Sequence, residues 1–231
     1  MARKPPASNT PLKPLVAALR AFYGRPEPPA VRDPFEQILW ENVAYLASDE
    51  RRAEAWKRFK AEIGTKPSEV LAASLSKLMA IGRAGIVPAN SANKLRESAQ
   101  TALEEFGGNL KPLLKLPLDD AKKALRKFPS IGEPGAEKIL LFAGSHPVLA
   151  LDSNGLRVLL RLGFGREDKN YAKSYRSAQK AAAPGLPLDV AWLTETHQIL
   201  RRHGKELCKT NHPRCEACPL KKECAYFRAL C

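Results

Sequence analysis

Apolar residues along most of this chain recur every three or four positions. Phe35, Ile38, Leu39, Val43 and Leu46 fall on one helical stripe. Ser48-Asp49-Glu50 opens the next helix; Ser48 and Arg51 make only half a capping box, because the acid three residues on is missing. Pro67-Ser68-Glu69 starts another helix, which Gly82 ends, and a further one runs from Ser91 to Phe106 and stops at Gly107-Gly108. Later helices begin near Pro117, Pro134, Ser153, Lys169 and Leu188. A short helix over Leu15–Tyr23 precedes them all. Between it and the stripe lies GRPEPPAVRDP, residues 24–34, a linker by its four prolines. Residues 1–13 read as a flexible basic tail. No stretch alternates with the period of a strand, so the pattern predicts an all-α protein with short connections.

Composition narrows the partners. Lys and Arg number 38 against 24 Asp and Glu, a formal charge of +14, and an excess of that size points to a polyanion, most simply nucleic acid. No apolar run reaches the length of a membrane span. The start, MARKPPASNTPLKP, lacks the apolar core of a secretory signal. The expected location is therefore intracellular, in the cytoplasm, where clustered thiols bind metal more often than they pair.

Four of the five cysteines fall between Cys208 and Cys224, spaced Cys208-x6-Cys215-x2-Cys218-x5-Cys224. The C-x2-C pair puts two thiolates on one turn, and the flanking cysteines can close a four-thiolate site suited to iron–sulfur or zinc. Zinc is the second choice, since a zinc ribbon shows two C-x2-C knuckles and this chain has one. Cys231 lies outside the set and reads as a spare thiol. Lys209 and Arg214 sit in the Cys208–Cys215 loop, where cations can press on phosphates.

A second stretch, LRKFPSIGEPGAEKILLFAG over residues 125–144, places two helices around Pro129-Ser130-Ile131-Gly132. A tight turn leading into a helix N-terminus offers backbone N–H groups to an anion without reading sequence. Downstream, ALDSNGLRVLLRLGF puts Asp152 at a helix start, where a plain capping role is equally open.

Taken together these segments resemble the endonuclease III superfamily of DNA glycosylases. FPSIGEPGA is similar to the family's hairpin, L-P-G-V-G-x-x-x-A; LDSNGLRVLLRLG is similar to its aspartate segment, V-D-T-H-V-x-R-V-x-x-R-L-G; the cysteine spacing is that of its [4Fe–4S] loop. The resemblance implies a two-lobed helix–hairpin–helix fold. A helical barrel lobe would span residues 33–147, and a cluster lobe would combine 14–32 with 148–231. A monomer would bind duplex DNA carrying a damaged or mismatched base, which is flipped out for excision. Pro129, Ser130, Ile131, Gly132 and Gly135 would then hold the backbone, with Lys209 and Arg214, and Asp152 would be catalytic.

Departures shape the expected chemistry. Bifunctional members carry a lysine where this chain has Pro134, so no amine stands there to form a Schiff base, and lyase activity is expected to be weak or absent. Ser130 replaces a usual glycine. DPFEQILWENVAYLASD, residues 33–49, resembles the D-P-Y-x-x-W-L-S-E-V-M-L-Q-Q-T segment of the adenine glycosylases, placing Glu41 on that branch's catalytic glutamate. With burial raising its pKa, Glu41 would protonate the leaving base while Asp152 stabilises the cationic sugar. Tyr45 falls on the gap-filling glutamine and would wedge into the stack. The expected activity is monofunctional base excision. The alternatives are a non-catalytic iron–sulfur lesion sensor and a bifunctional glycosylase/AP lyase.

Overall fold

The computed structural model describes residues 11–230. Among them are twelve α-helices, two 3₁₀ turns and no strand. Most of the expected tail and Cys231 lie outside the described residues. The chain divides into two compact units, Met1–Pro28 with Pro147–Cys231, and Pro29–His146.

In the second unit, α2 (Pro34–Val43) starts where Asp33 accepts from the N–H groups of Phe35 and Glu36, with Pro34 fixing the first helical φ. Ser48 caps α3 (Asp49–Glu62) through the Arg51 N–H. The single helix expected from Pro67 to Gly82 is two, α4 (Pro67–Ala72) and α5 (Leu75–Gly82). Ala73 is extended there, and Ser74 accepts from the Lys77 N–H to begin a fresh helix. A good cap near mid-segment competes with continuation of a short helix. The long α6 (Pro88–Phe106) starts three residues earlier than Ser91, again on a proline, and ends at left-handed Gly107. A 3₁₀ turn (Lys111–Lys115), α7 (Leu118–Leu125) and α8 (Glu133–Phe142) complete the unit. Its core interleaves Phe35, Ile38 and Leu39 of α2 with Leu95 and Ala99 of α6 and Ile139 and Leu140 of α8. Each fully buried Leu or Ile there stabilises the fold by about 1.5–3 kcal/mol. Leu46 is not on the α2 stripe. The helix ends at Val43, and Leu46 stands 67% exposed with φ of 55°.

In the first unit, α1 (Leu12–Tyr23) starts at Leu12 rather than Leu15, so Leu12 and Lys13 belong to the helix and not to a tail. Its buried face, Leu12, Leu15, Val16 and Leu19, packs on α11 (Val190–Glu206). Arg20 and Arg25 clasp the buried Glu195 of α11 at 3.2 and 3.3 Å. Between them in sequence come α9 (Ser153–Leu162) and α10 (Tyr171–Ala182), and α12 (Ala225–Arg228) closes the described chain. The α9–α11 contact is close because Gly204 has no side chain: a Cβ there would lie 2.7–3.0 Å from Asn154.

Candidate nucleic-acid interface and metal centre

The hairpin joins α7 to α8. Phe128 and Ile131 point into the core, and two buried amides of α2 anchor the turn from beneath. Asn42 Nδ2 donates to the Pro129 carbonyl at 3.3 Å, and Gln37 Nε2 donates to that of Ile139 at 3.2 Å. Ser130 and Gly132 face solvent. Gly132 is the N-cap of α8, and no side chain caps that end. The N–H groups at the start of α8 therefore keep their capacity for an external anion. Glu133 in the first turn does not block it with bare charge, because Lys122 pairs with Glu133 at 3.0 Å and Glu137 at 2.8 Å. Burial works against the Lys122 ammonium, but hydrogen bonds to Glu137 and Glu133 outweigh it and raise the pKa above the usual lysine value. At Gly135 a Cβ would make only an ordinary 3.6 Å contact with Ile131.

Glu41 lies on α2 beside this hairpin, and Lys138 of α8 donates to its carboxylate. The burial expected around Glu41 is incomplete, and an ion pair engages its carboxylate. The same contact answers for Lys138: the amine nearest in sequence to the missing lysine is engaged by a carboxylate. Tyr45 is 48% exposed with the Lys94 ammonium 5.8 Å from its ring centre. Its carbonyl accepts from the Ile86 N–H at 3.2 Å, and Gly85 packs so tightly on its backbone that a Cβ would sit 2.6 Å away. This joins two loops into one exposed apolar tip of Tyr45, Leu46, Ile86 and Val87. Leu46 and Ile86 were not among the expected contacts. A helical period hides Leu46, and Ile86 carries no local signal.

In the first unit Asp152 is the N-cap of α9. Its Oδ1 accepts from the Gly155 N–H at 2.7 Å and its Oδ2 from Asn154 Nδ2 at 3.1 Å, with Arg201 Nε 3.3 Å away. Capping and candidate catalysis therefore coexist in one residue. Burial raises the Tyr171 phenol, and the Asp152 charge adds to the rise.

Cys208, Cys215, Cys218 and Cys224 line a single cavity together with Arg161 and His203. Among the described residues no three His, Cys, Asp or Glu are grouped to hold one metal ion. Burial pushes Cys218 up to about 11, with the neighbouring thiolates adding to the rise. Four thiols this close ionise together only around compensating positive charge, which suits a metal group. The loop is tied to α9: Arg157 Nε donates to the Cys208 carbonyl at 2.9 Å, and Arg161 donates to the carbonyls of Lys209 and Thr210 at 2.7 and 3.0 Å. Arg161 also lies 3.4 Å from the Cys208 sulfur and stacks over Tyr226. His203 Nε2 is 3.6 Å from the Cys218 sulfur and its Nδ1 is 3.0 Å from the Tyr23 hydroxyl. Lys209 and Arg214 are exposed.

The described non-glycine residues with positive φ are Leu46, Ser130 and His212, at 55°, 66° and 51°. One lies in each of the three loops named above. Strain of this kind costs on the order of 1–3 kcal/mol and persists where the surroundings impose it, often at contact sites.

No family model matches the chain. Endonuclease III of Rickettsia conorii is 32% identical over 105 residues, 46% of this chain, a match that spans about half (47%) of that relative's length. Endonuclease III of Thermotoga maritima is 24% identical over 85% of this chain and 84% of its own. A solved structure of a trapped endonuclease III–DNA covalent intermediate superposes with a TM-score of 0.75 at 22% identity, covering 94% of this chain and 95% of that one.

Proposed function

We propose that this chain, similar in sequence and fold to endonuclease III proteins, is a DNA glycosylase of that superfamily that excises a flipped base from duplex DNA by hydrolysis. The observation that carries this reading is Asp152: a partly exposed carboxylate, fixed at a helix N-terminus by the Gly155 N–H and Asn154, downstream of an uncapped hairpin. In the reaction the C1′–N bond breaks with its electron pair leaving on the base, which takes up a proton, and water adds to C1′. Positive charge builds on the sugar. A preorganised carboxylate stabilises it best where water is excluded. Glu41, held by Lys138, is read as a carboxylate that positions water or base rather than as the proton donor.

The enzyme is proposed to be monofunctional. Pro134 supplies no amine, and Lys138 is held by Glu41. The hairpin N–H groups, Ser130, Lys209 and Arg214 are proposed to hold phosphates, while the apolar tip around Tyr45 and Leu46 enters the stack left by the flipped base. Cys208, Cys215, Cys218 and Cys224 are proposed to hold a [4Fe–4S] cluster. Its part is structural: bound there, it cross-links the basic loop. Four thiols with a single C-x2-C knuckle favour a cluster over one zinc ion.

The test is a base-release screen on duplexes bearing uracil, mismatched thymine or adenine, oxidised bases and alkylated purines, split with or without alkali. Breaks only after alkali, and no borohydride-trapped adduct, are expected. Breaks without alkali would establish a lyase amine. Tight duplex binding with no base release would leave a lesion sensor. Asp152→Asn is expected to lower base release by about 100-fold or more while duplex affinity changes by only a few-fold; full activity in that variant would refute the assignment.

A further inference from the structure

Asp152 has a cationic neighbour that its orientation does not require. The Gly155 N–H and Asn154 Nδ2 already fix the carboxylate at 2.7 and 3.1 Å, yet Arg201 Nε of α11 stands 3.3 Å from Oδ2. The nearby arginines are committed elsewhere. Arg157 donates to the carbonyls of Cys208 and Gly204 and to Asn154 Oδ1. Arg202 donates to Glu206 and the Tyr23 carbonyl and stacks on the Tyr23 ring. Arg201 is the arginine that pairs with the reactive carboxylate itself, with a side chain 36% exposed against 25% for Asp152. A guanidinium in that place opposes the positive charge the sugar must develop, so in the reacting complex it needs another anion.

We propose that Arg201 is a phosphate-binding residue, paired with Asp152 in the free protein and transferred to a backbone phosphate of the target nucleotide when DNA binds. This rests on the glycosylase reading. A deoxyribose whose C1′ lies against Asp152 carries its 5′ and 3′ phosphates within the same nucleotide, so a guanidinium touching that carboxylate has a phosphate within side-chain reach. The planar fork of arginine matches two phosphate oxygens better than the point charge of lysine does. Exchange of one anion for the other keeps Arg201 paired and uncovers the Asp152 charge where it is used. DNA binding and exposure of the reactive carboxylate are thereby one event, and Arg201 is a contact to the substrate.

The experiment measures affinity, not turnover. The probe is a duplex with a tetrahydrofuran abasic analogue, bound by the wild type, Arg201→Ala and Arg201→Lys across a salt series, each first shown to be folded by its thermal melt. The same duplex is then made with a neutral methylphosphonate on either side of the analogue. Loss of one phosphate contact lowers the exponent of the salt dependence by about 0.9. That drop is expected in Arg201→Ala, with Arg201→Lys recovering most of it. One of the two methylphosphonates is expected to weaken the wild type while adding nothing to Arg201→Ala. An unchanged exponent, with both methylphosphonates weakening wild type and Arg201→Ala equally, overturns the phosphate role and leaves Arg201 as a clamp on Asp152. A wild type that does not prefer the abasic duplex to an undamaged one overturns the glycosylase reading itself, and this inference with it.

Discussion

The hairpin and the cysteine loop are both proposed to meet DNA backbone, yet they are held in opposite ways. Beneath the hairpin lies apolar packing: Phe128 and Ile131 are buried, and Asn42 reaches up from α2 to the Pro129 carbonyl. The loop from Cys208 to Cys224 has almost no core of its own; Leu220 is its buried apolar side chain. It is tied down from the side instead, by Arg157 and Arg161 donating to successive carbonyls and by four thiols around one cavity. A segment that cannot bury enough apolar surface must be ordered by cross-links, whereas a turn lying on a core needs none. The difference teaches where each unit is vulnerable.

The largest effect should come from removing the cross-link. Chelation or Cys218→Ser is expected to abolish the visible absorbance of the proposed cluster and to destabilise the first unit by several kcal/mol. Proteolytic nicking should then appear within residues 208–224 while the Pro29–His146 unit stays resistant. Equal loss of protection in both units would break the comparison. The reciprocal change is Asn42→Ala. It leaves the Pro129 carbonyl without its amide partner and should cost about 1–3 kcal/mol in denaturant unfolding, with the absorbance of the cluster unaltered.

Acid should separate the units more gently. Burial pushes His203 down to about 4 from its ordinary 6.5, with Glu206 opposing weakly. The unfolded chain binds a proton that the folded protein refuses between those values. Stability is therefore full above pH 6.5 and falls as the pH drops toward 4, by at most about 1.4 kcal/mol per pH unit. Melting midpoints at pH 7, 6 and 5 should show this fall for the wild type and a shallower one for His203→Asn. The smallest effect is at the hairpin tip. Ser130 holds a left-handed φ of 66° that costs an L-residue about 1–2 kcal/mol. Ser130→Gly relieves it but adds backbone freedom to the unfolded chain, so a net gain under about 1 kcal/mol is expected in the same denaturant titration.

Local signals were read well where they act within one turn. Ser48 and Asp152 cap the helices they precede, and Pro67 begins its own. The same reasoning misplaced Leu46, because three or four residues past Val43 still satisfy a helical period after the helix itself has ended. It also joined α4 to α5, since a cap at Ser74 competes with propensities that are nearly neutral across the break.

By itself, then, the sequence determined the helical class, most of the helix starts, the spacing of the four thiols and the absence of an amine at Pro134, all properties of neighbouring residues or of residue identity. Tertiary structure alone decided the partners. Lys138 closes on Glu41, Arg201 on Asp152 and Arg161 on the Lys209 carbonyl across long stretches of chain. No periodicity encodes such choices, because a charged side chain takes the counter-charge that packing of the apolar faces brings within reach.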